Sequence, residues 1–174
     1  MHSGIDERLC RIADNVRRMR TKTLFFIGLL STAFAMAGGF AHLLEFPHKI
    51  QLTGQEYLTV QQIYRGWAWL GIVIYASLIS NLWLTIRLRG DKNAFFWALT
   101  AVLSIVGAQI LFWVFTFPVN QETKNWTILP PDWQQLRTRW EYSHVAGAIL
   151  DITGLVALIV AALTSKAAPG DTTL

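Results

Sequence analysis

The residues with the greatest capacity for chemistry are two histidine–carboxylate pairs, His42-x-x-Glu45 and Glu141-x-x-His144. Imidazole and carboxylate three positions apart share one face of a helix. From there they can exchange a proton, bond a neighbouring helix or hold a metal ion, as Glu-x-x-His pairs on facing helices do in di-metal bundles. Glu56 and His48 are the nearest groups able to complete a ligand set with His42, Glu45, Glu141 and His144. The spacing leaves three readings open: a metal centre, polar glue between helices, and metal-free acid–base chemistry at His42 or His144. Asp151 is a further acid, with nothing basic at its depth on any predicted helix. It reads either as a neutral, protonated side chain or as a proton relay.

Each pair belongs to a longer seam. Arg137, Glu141, His144, Ala148, Asp151 and Leu155 follow steps of four and three, as do Ser31, Ala35, Gly38, His42 and Glu45. Glu141 and Asp151 are separated by about 15 Å along a helix axis, so their seam descends from an interface into the apolar region. The two seams are predicted to meet.

The elements that carry these seams are membrane helices. The chain is 53% hydrophobic and 15% charged, where a soluble domain carries about a quarter charged residues. Four apolar runs, 24–46, 67–86, 95–117 and 145–163, are each long enough for a hydrocarbon core that needs roughly 20 helical residues. The fold class expected is all-α, a four-helix transmembrane bundle. It divides into a basic leader (1–23), the membrane domain (24–163) and a short tail (164–174). A soluble enzyme, a disulfide-stapled domain and a nucleic-acid binder are excluded by how little chain lies outside the spans. Cys10 is the single cysteine, which also excludes membrane oxidoreductases built on a Cys-x-x-Cys pair.

Basic residues set the orientation. Ten lie in the leader, the 87–94 loop and the tail, and five in loops 47–66 and 118–144. The positive-inside rule then puts both termini in the cytoplasm of a multi-pass inner (plasma) membrane protein, with the site toward the outer face. In the leader, Ile5, Leu9, Ile12, Val16 and Met19 recur at steps of four and three among charges, which reads as an amphipathic helix lying on the inner membrane surface. Pro47 is expected to end or bend the first helix. Thr53-x-x-Glu56 has the form of a capping box opening a helix that runs from near Gly54 toward Trp67. Pro130-Pro131-Asp132 opens an unbroken helix ending near Leu163. Gln109, Ser77, Ser80 and Asn81 read as helix–helix hydrogen bonds. Trp126, Trp133 and Trp140 lie beyond the aromatic belt, and with Tyr57 they are expected to wall a substrate pocket.

The run Phe117-Pro118-Val119-Asn120, followed by Trp126, Pro130, Trp133, Arg137, Trp140 and His144, together with His42, resembles the anthrone oxygenase-like family of small four-helix membrane proteins. The resemblance covers about residues 24–163 and not the leader. It implies an oxidoreductase that uses dioxygen on a lipophilic aromatic small molecule, anthrone- or hydroquinone-like, with Asn120, Arg137 and His144 as the matching polar positions. His42 or His144 would remove a proton, while Arg137 and Asn120 would stabilise the oxyanion. Non-haem iron or another transition metal, cofactor-free oxygenation and, less favoured, haem held between His42 and His144 all remain open, as does the oligomeric state. Two other classes stay in play: a small transporter working through Asp151, and a non-enzymatic membrane subunit.

Overall fold

The computed structural model describes residues 3–166, with side chains from residue 7. The first two leader residues, the Ile5 side chain and tail residues 167–174 lie outside that range. Helix α1 is a single element, Ser3–Lys49. The leader is therefore continuous with the first span, not a separate surface helix, because no Gly or Pro interrupts the chain between Ile5 and Leu24. Pro47 does not end the helix either. It sits in the last turn, where a missing N–H removes a single intrahelical bond, and the helix carries on to Lys49.

Helix α2, Gly54–Gln61, opens on the predicted capping box: Glu56 N–H donates to the Thr53 hydroxyl, and the Glu56 carboxylate accepts from the Thr53 N–H at 2.9 Å. It does not run on unbroken to Trp67 as expected. A 3₁₀ turn at Gln62–Tyr64 is followed by Gly66 at φ 92°, a left-handed conformation suited to glycine, and by a second 3₁₀ turn at Trp67–Trp69. Helix α3, Leu70–Arg87, then crosses the bundle.

Asp91 caps α4, Lys92–Leu111, and a π-helical turn at Phe112–Thr116 passes directly into α5, Phe117–Glu122. Helix α6 is continuous over Trp133–Thr164. Four helical stretches, Glu7–Lys49, Trp67–Arg87, Lys92–Glu122 and Trp133–Thr164, are long and apolar enough to cross a membrane.

Helix α1 packs on α3 and α6, and α4 packs on the same two helices, which closes a four-membered bundle. At the leader end the core is made of small and medium side chains, among them Ala94, Ala98, Ala101, Ala157 and Ala161 with Phe25, Leu84 and Leu158. Small residues let helix backbones approach where lipid gives no hydrophobic drive to association. Asn81 Nδ2 donates to Thr32 Oγ1 at 2.8 Å, and Thr32 bonds Ser77 at 2.7 Å, so Asn81 and Ser77 tie α1 to α3 as predicted, while Ser80 instead donates to the Ser77 carbonyl within its own helix at 3.0 Å. At the opposite end, α2 and the loops around it close over a second core of Tyr57, Val119, Trp126, Leu136 and Trp140.

Candidate functional site

The seams of α1 and α6 meet at this capped end. The rings of His42 and His144 are stacked at a tilt with centroids 4.2 Å apart, and Trp140 lies against both, at 5.1 Å and 3.9 Å. One turn deeper, α1 offers Gly39 to α6: a Cβ there would stand 3.1 Å from Asp151 Oδ2 and 3.4 Å from Ala148 Cα. The expectation that Gly38 would be the contact is corrected by one position, since Gly38 faces Trp67 and Leu70 instead.

Behind the imidazoles is a buried charge cluster centred on a residue the sequence did not single out. Lys49 is 1% exposed, and its Nζ lies 3.4 Å from Glu141 Oε1 and 3.3 Å from Glu45 Oε2. The same ammonium donates to Tyr64 Oη at 2.7 Å and meets His42 Nδ1 at 3.4 Å. Tyr64 donates to Glu45, and Tyr57 donates to the fully buried Glu141 at 2.7 Å. Burial first, and then the neighbouring carboxylates, holds both phenols above the usual tyrosine range. Both therefore stay neutral donors. Nζ also lies over the Tyr64 and Trp140 rings, at 4.6 and 4.9 Å, a cation–π placement.

These partners fix the two imidazole tautomers. An ammonium has protons and no lone pair, so His42 Nδ1 accepts and its proton is on Nε2. His144 Nδ1 lies 2.9 Å from the Trp140 carbonyl, which can only accept, so His144 carries its proton on Nδ1 and its lone pair on Nε2. The pair thus offers one N–H donor and one base.

The same geometry does not suit a metal. A ligand nitrogen or oxygen binds a transition metal at about 2.0–2.2 Å, and the space among His42, Glu45 and Glu141 is taken by the Lys49 ammonium. Among the described residues no group of three or more His, Cys, Asp and Glu side chains is placed to hold a metal ion. The two residues expected to complete the set lie elsewhere: His48 is exposed, and Glu56 is exposed and committed to the α2 cap. The His42 and His144 rings are in contact, which leaves no room for a porphyrin plane between them.

His42, His144 and Asp151 line a cavity of about 810 Å³ between the helices. Trp126, Trp140 and Asn120 of the predicted set line it too, together with Gln109, Phe112 and Trp113. Gln109 is thus a cavity residue, not the helix–helix bond expected of it. The π-helical turn brings Phe112, Trp113 and Thr116 to the wall, a use of such turns common at functional sites. Asn120 Oδ1 accepts from Trp140 Nε1 at 2.8 Å and so holds the indole that backs the imidazoles.

Tyr57, Trp133 and Arg137 are absent from the wall. Arg137 Nη1 donates to the Leu52 carbonyl at 2.6 Å, and its guanidinium lies over the Trp133 and Tyr57 rings at 4.6 and 5.5 Å. It clamps the cap and does not reach the cavity.

Trp126 is delivered by an unusual turn. Lys124, Asn125 and Trp126 are all left-handed, at φ 49°, 55° and 58°. For residues other than glycine this costs roughly 1–2 kcal/mol each. The turn is held by Asn125 N–H to Asn120 O at 2.6 Å, by Trp126 N–H to Thr123 Oγ1 at 3.1 Å and by Gln62 Nε2 to Trp126 O at 2.8 Å. The indole is 2% exposed, and its Nε1–H has no acceptor in the protein. A buried donor left unpaired is unfavourable, and this one belongs to a cavity wall.

A second, almost wholly apolar groove of about 540 Å³ lies between α1 and α3, and Gly38, Gly66, Trp67 and Leu70 line both it and the cavity. These four residues form the boundary between the groove and the cavity. Compared with known protein families, with curated proteins and with solved structures, the chain finds no match.

Proposed function

We propose that the protein is an integral membrane oxidoreductase that oxidises a lipophilic aromatic methylene or hydroquinone compound with dioxygen, without a metal, in this cavity. The reading rests on one observation: a base and an N–H donor of fixed, opposite tautomers stand side by side on the wall of an aromatic cavity. The resemblance to anthrone oxygenase-like proteins points to the same chemistry. The substrate enters from lipid by way of the apolar groove between α1 and α3, displacing the side chains that separate it from the cavity, and stacks on Trp126, Trp140 and Trp113.

For an anthrone the atoms balance without further reactants. His144 Nε2 takes a proton from the ring CH₂, and the carbanion reduces dioxygen and bonds to it as a peroxide, which is protonated from His42 Nε2–H or the His144 imidazolium. Loss of the second C–H proton with cleavage of O–O leaves the carbonyl and one water. The methylene gives up four electrons and dioxygen accepts them. Trp126 Nε1–H is the donor for the ring oxygen on which carbanion charge is delocalised, the role expected of Arg137. Asn120 acts by holding Trp140. Asp151, at the deep end, relays protons.

The membrane orientation is part of the proposal: both termini cytoplasmic in the inner membrane, with the cavity toward the outer face. Reporters fused after Lys92 and Lys166 should read as cytoplasmic, and one after Lys124 as external. A cytoplasmic reading at Lys124 would put the cavity on the other side.

The chemistry is tested in membranes given a dihydroxyanthrone, by following oxygen uptake and quinone formation in wild type and His144→Ala. The variant should lose roughly 10²- to 10⁴-fold in rate, the contribution of one general acid or base. Wild-type rates no higher than those of His144→Ala on anthrones and hydroquinones would remove the reading and leave a transporter or accessory subunit.

A further inference from the structure

Helix α1 has a second seam that the bundle does not use. Its buried face runs through Thr21, Phe25, Gly28, Thr32 and His42 and packs on α3 and α6. On the opposite side of the leader, Leu9, Ile12, Val16 and Met19 form the apolar row, 58%, 59%, 37% and 62% exposed. Past the polar Thr23 the row resumes at Phe26 and continues at steps of three and four through Leu30, Ala33, Ala37, Phe40 and Leu44, none of them buried.

Within the span, lipid covers such a row, but lipid does not reach the leader. A helix of 47 residues is about 70 Å long, whereas the hydrocarbon core is about 30 Å and each headgroup zone about 6 Å. Ile12 precedes Leu24 by 12 residues, about 18 Å along the axis. Because α1 is unbroken there, the leader cannot fold back onto the membrane surface, and its apolar row needs a protein partner.

From this we infer that the partner is a second copy of this chain, joined in parallel along α1 as a two-stranded coiled coil. The row keeps a strict heptad, with Leu9 and Val16 at a and Ile12 and Met19 at d, the pattern of a coiled-coil seam. Flanking charges select the direction. In a parallel pair Arg8 faces Ala13 and Asn15 faces Arg20 of the other copy, so no like charges meet. An antiparallel pair sets Arg8 against Lys22 and would also turn one copy over in the membrane. The ion pair Glu7–Arg11, 3.5 Å, lies off the seam. In the span, Ala33 and Ala37 give the small-x-x-x-small spacing that lets membrane helices approach closely. Ala37 also lines the groove between α1 and α3, so the dimer borders that groove, while Gly38, about 100° around the axis, faces Trp67 and Leu70.

Cysteine cross-linking of the full chain in its membrane decides the matter. In a Cys10→Ser background, Ile12→Cys and Leu9→Cys should each give disulfide-linked dimers on mild oxidation, while Asp14→Cys, on the far face, should give few. Two differently tagged copies should co-purify, and the pair Ile12→Asp with Met19→Asp should separate them. Ile12→Cys and Leu9→Cys proteins that reach the membrane yet cross-link no more than Asp14→Cys would overturn the inference. An adduct with a different protein in place of the dimer would do the same.

Discussion

Lys49 joins the two helices at the site. Its ammonium is shared by Glu45, Glu141, His42 and Tyr64, with almost no solvent access. Removing one partner of a buried ion pair typically costs about 3–5 kcal/mol, because the other charge is left buried and uncompensated. Lys49→Met should therefore lower the unfolding free energy of the detergent-solubilised protein by about that amount. Adding Glu141→Gln should restore much of it, as a neutral amide can still accept from Tyr57. If the double variant is no more stable than Lys49→Met, the charge account of this cluster fails. The histidine–carboxylate pairs were legible because one helical turn separates their members. Lys49 was not, although it is four residues after Glu45 and seven after His42, because Pro47 suggested that the helix had already ended. Arg137 stood on the expected face, but its length lets it reach back to the Leu52 carbonyl, and spacing along one helix says nothing about that reach.

Capping and breaking decide how the elements present the cavity. The Thr53–Glu56 box was readable, since it is a local exchange of two hydrogen bonds. Its bonds from Thr53 hold the exposed Glu56 carboxyl below its ordinary value of 4.5. A carboxyl whose pKa is depressed in the folded state stabilises above its unfolded value, and that contribution disappears as pH falls through the folded one. Hydrogen-exchange protection of α2 amides should thus fall on acidification below about 4.5, and Thr53→Ala should weaken it by about 1 kcal/mol at neutral pH. Protection in Thr53→Ala equal to wild type would show that tertiary contacts alone hold α2. The break after α2 was less legible. Gly66 was visible in the sequence, but the left-handed geometry that turns Trp67 into the cavity wall depends on packing. The left-handed run at Lys124–Trp126 carried no glycine signal at all. It exists because Asn120, Thr123 and Gln62 bond its backbone, and two of those partners act from neighbouring turns of the chain.

At the scale of the whole molecule, the four spans and the all-helical class followed from hydropathy and length, which are properties of lipid more than of any one contact. The size of the cavity, the groove beside it and the unused face of α1 required the helices to be placed against each other. The resulting assembly has an apolar core rich in alanine at the leader end, a polar tie between α1 and α3 and an aromatic chamber with two imidazoles at the cap. In the function proposed above, that gradient is what would let a lipophilic ring bind with the two imidazoles held beside it. The central claim is that this chamber joins dioxygen to a ring carbon, and the label of the oxygen reports on it directly. Membranes holding the wild-type protein, given an anthrone under ¹⁸O₂, should produce a quinone whose new carbonyl carries one ¹⁸O. The other ¹⁸O should appear in water, and the labelled product should be lost in His144→Ala. A quinone formed without the label, or formed equally by His144→Ala, would contradict the account.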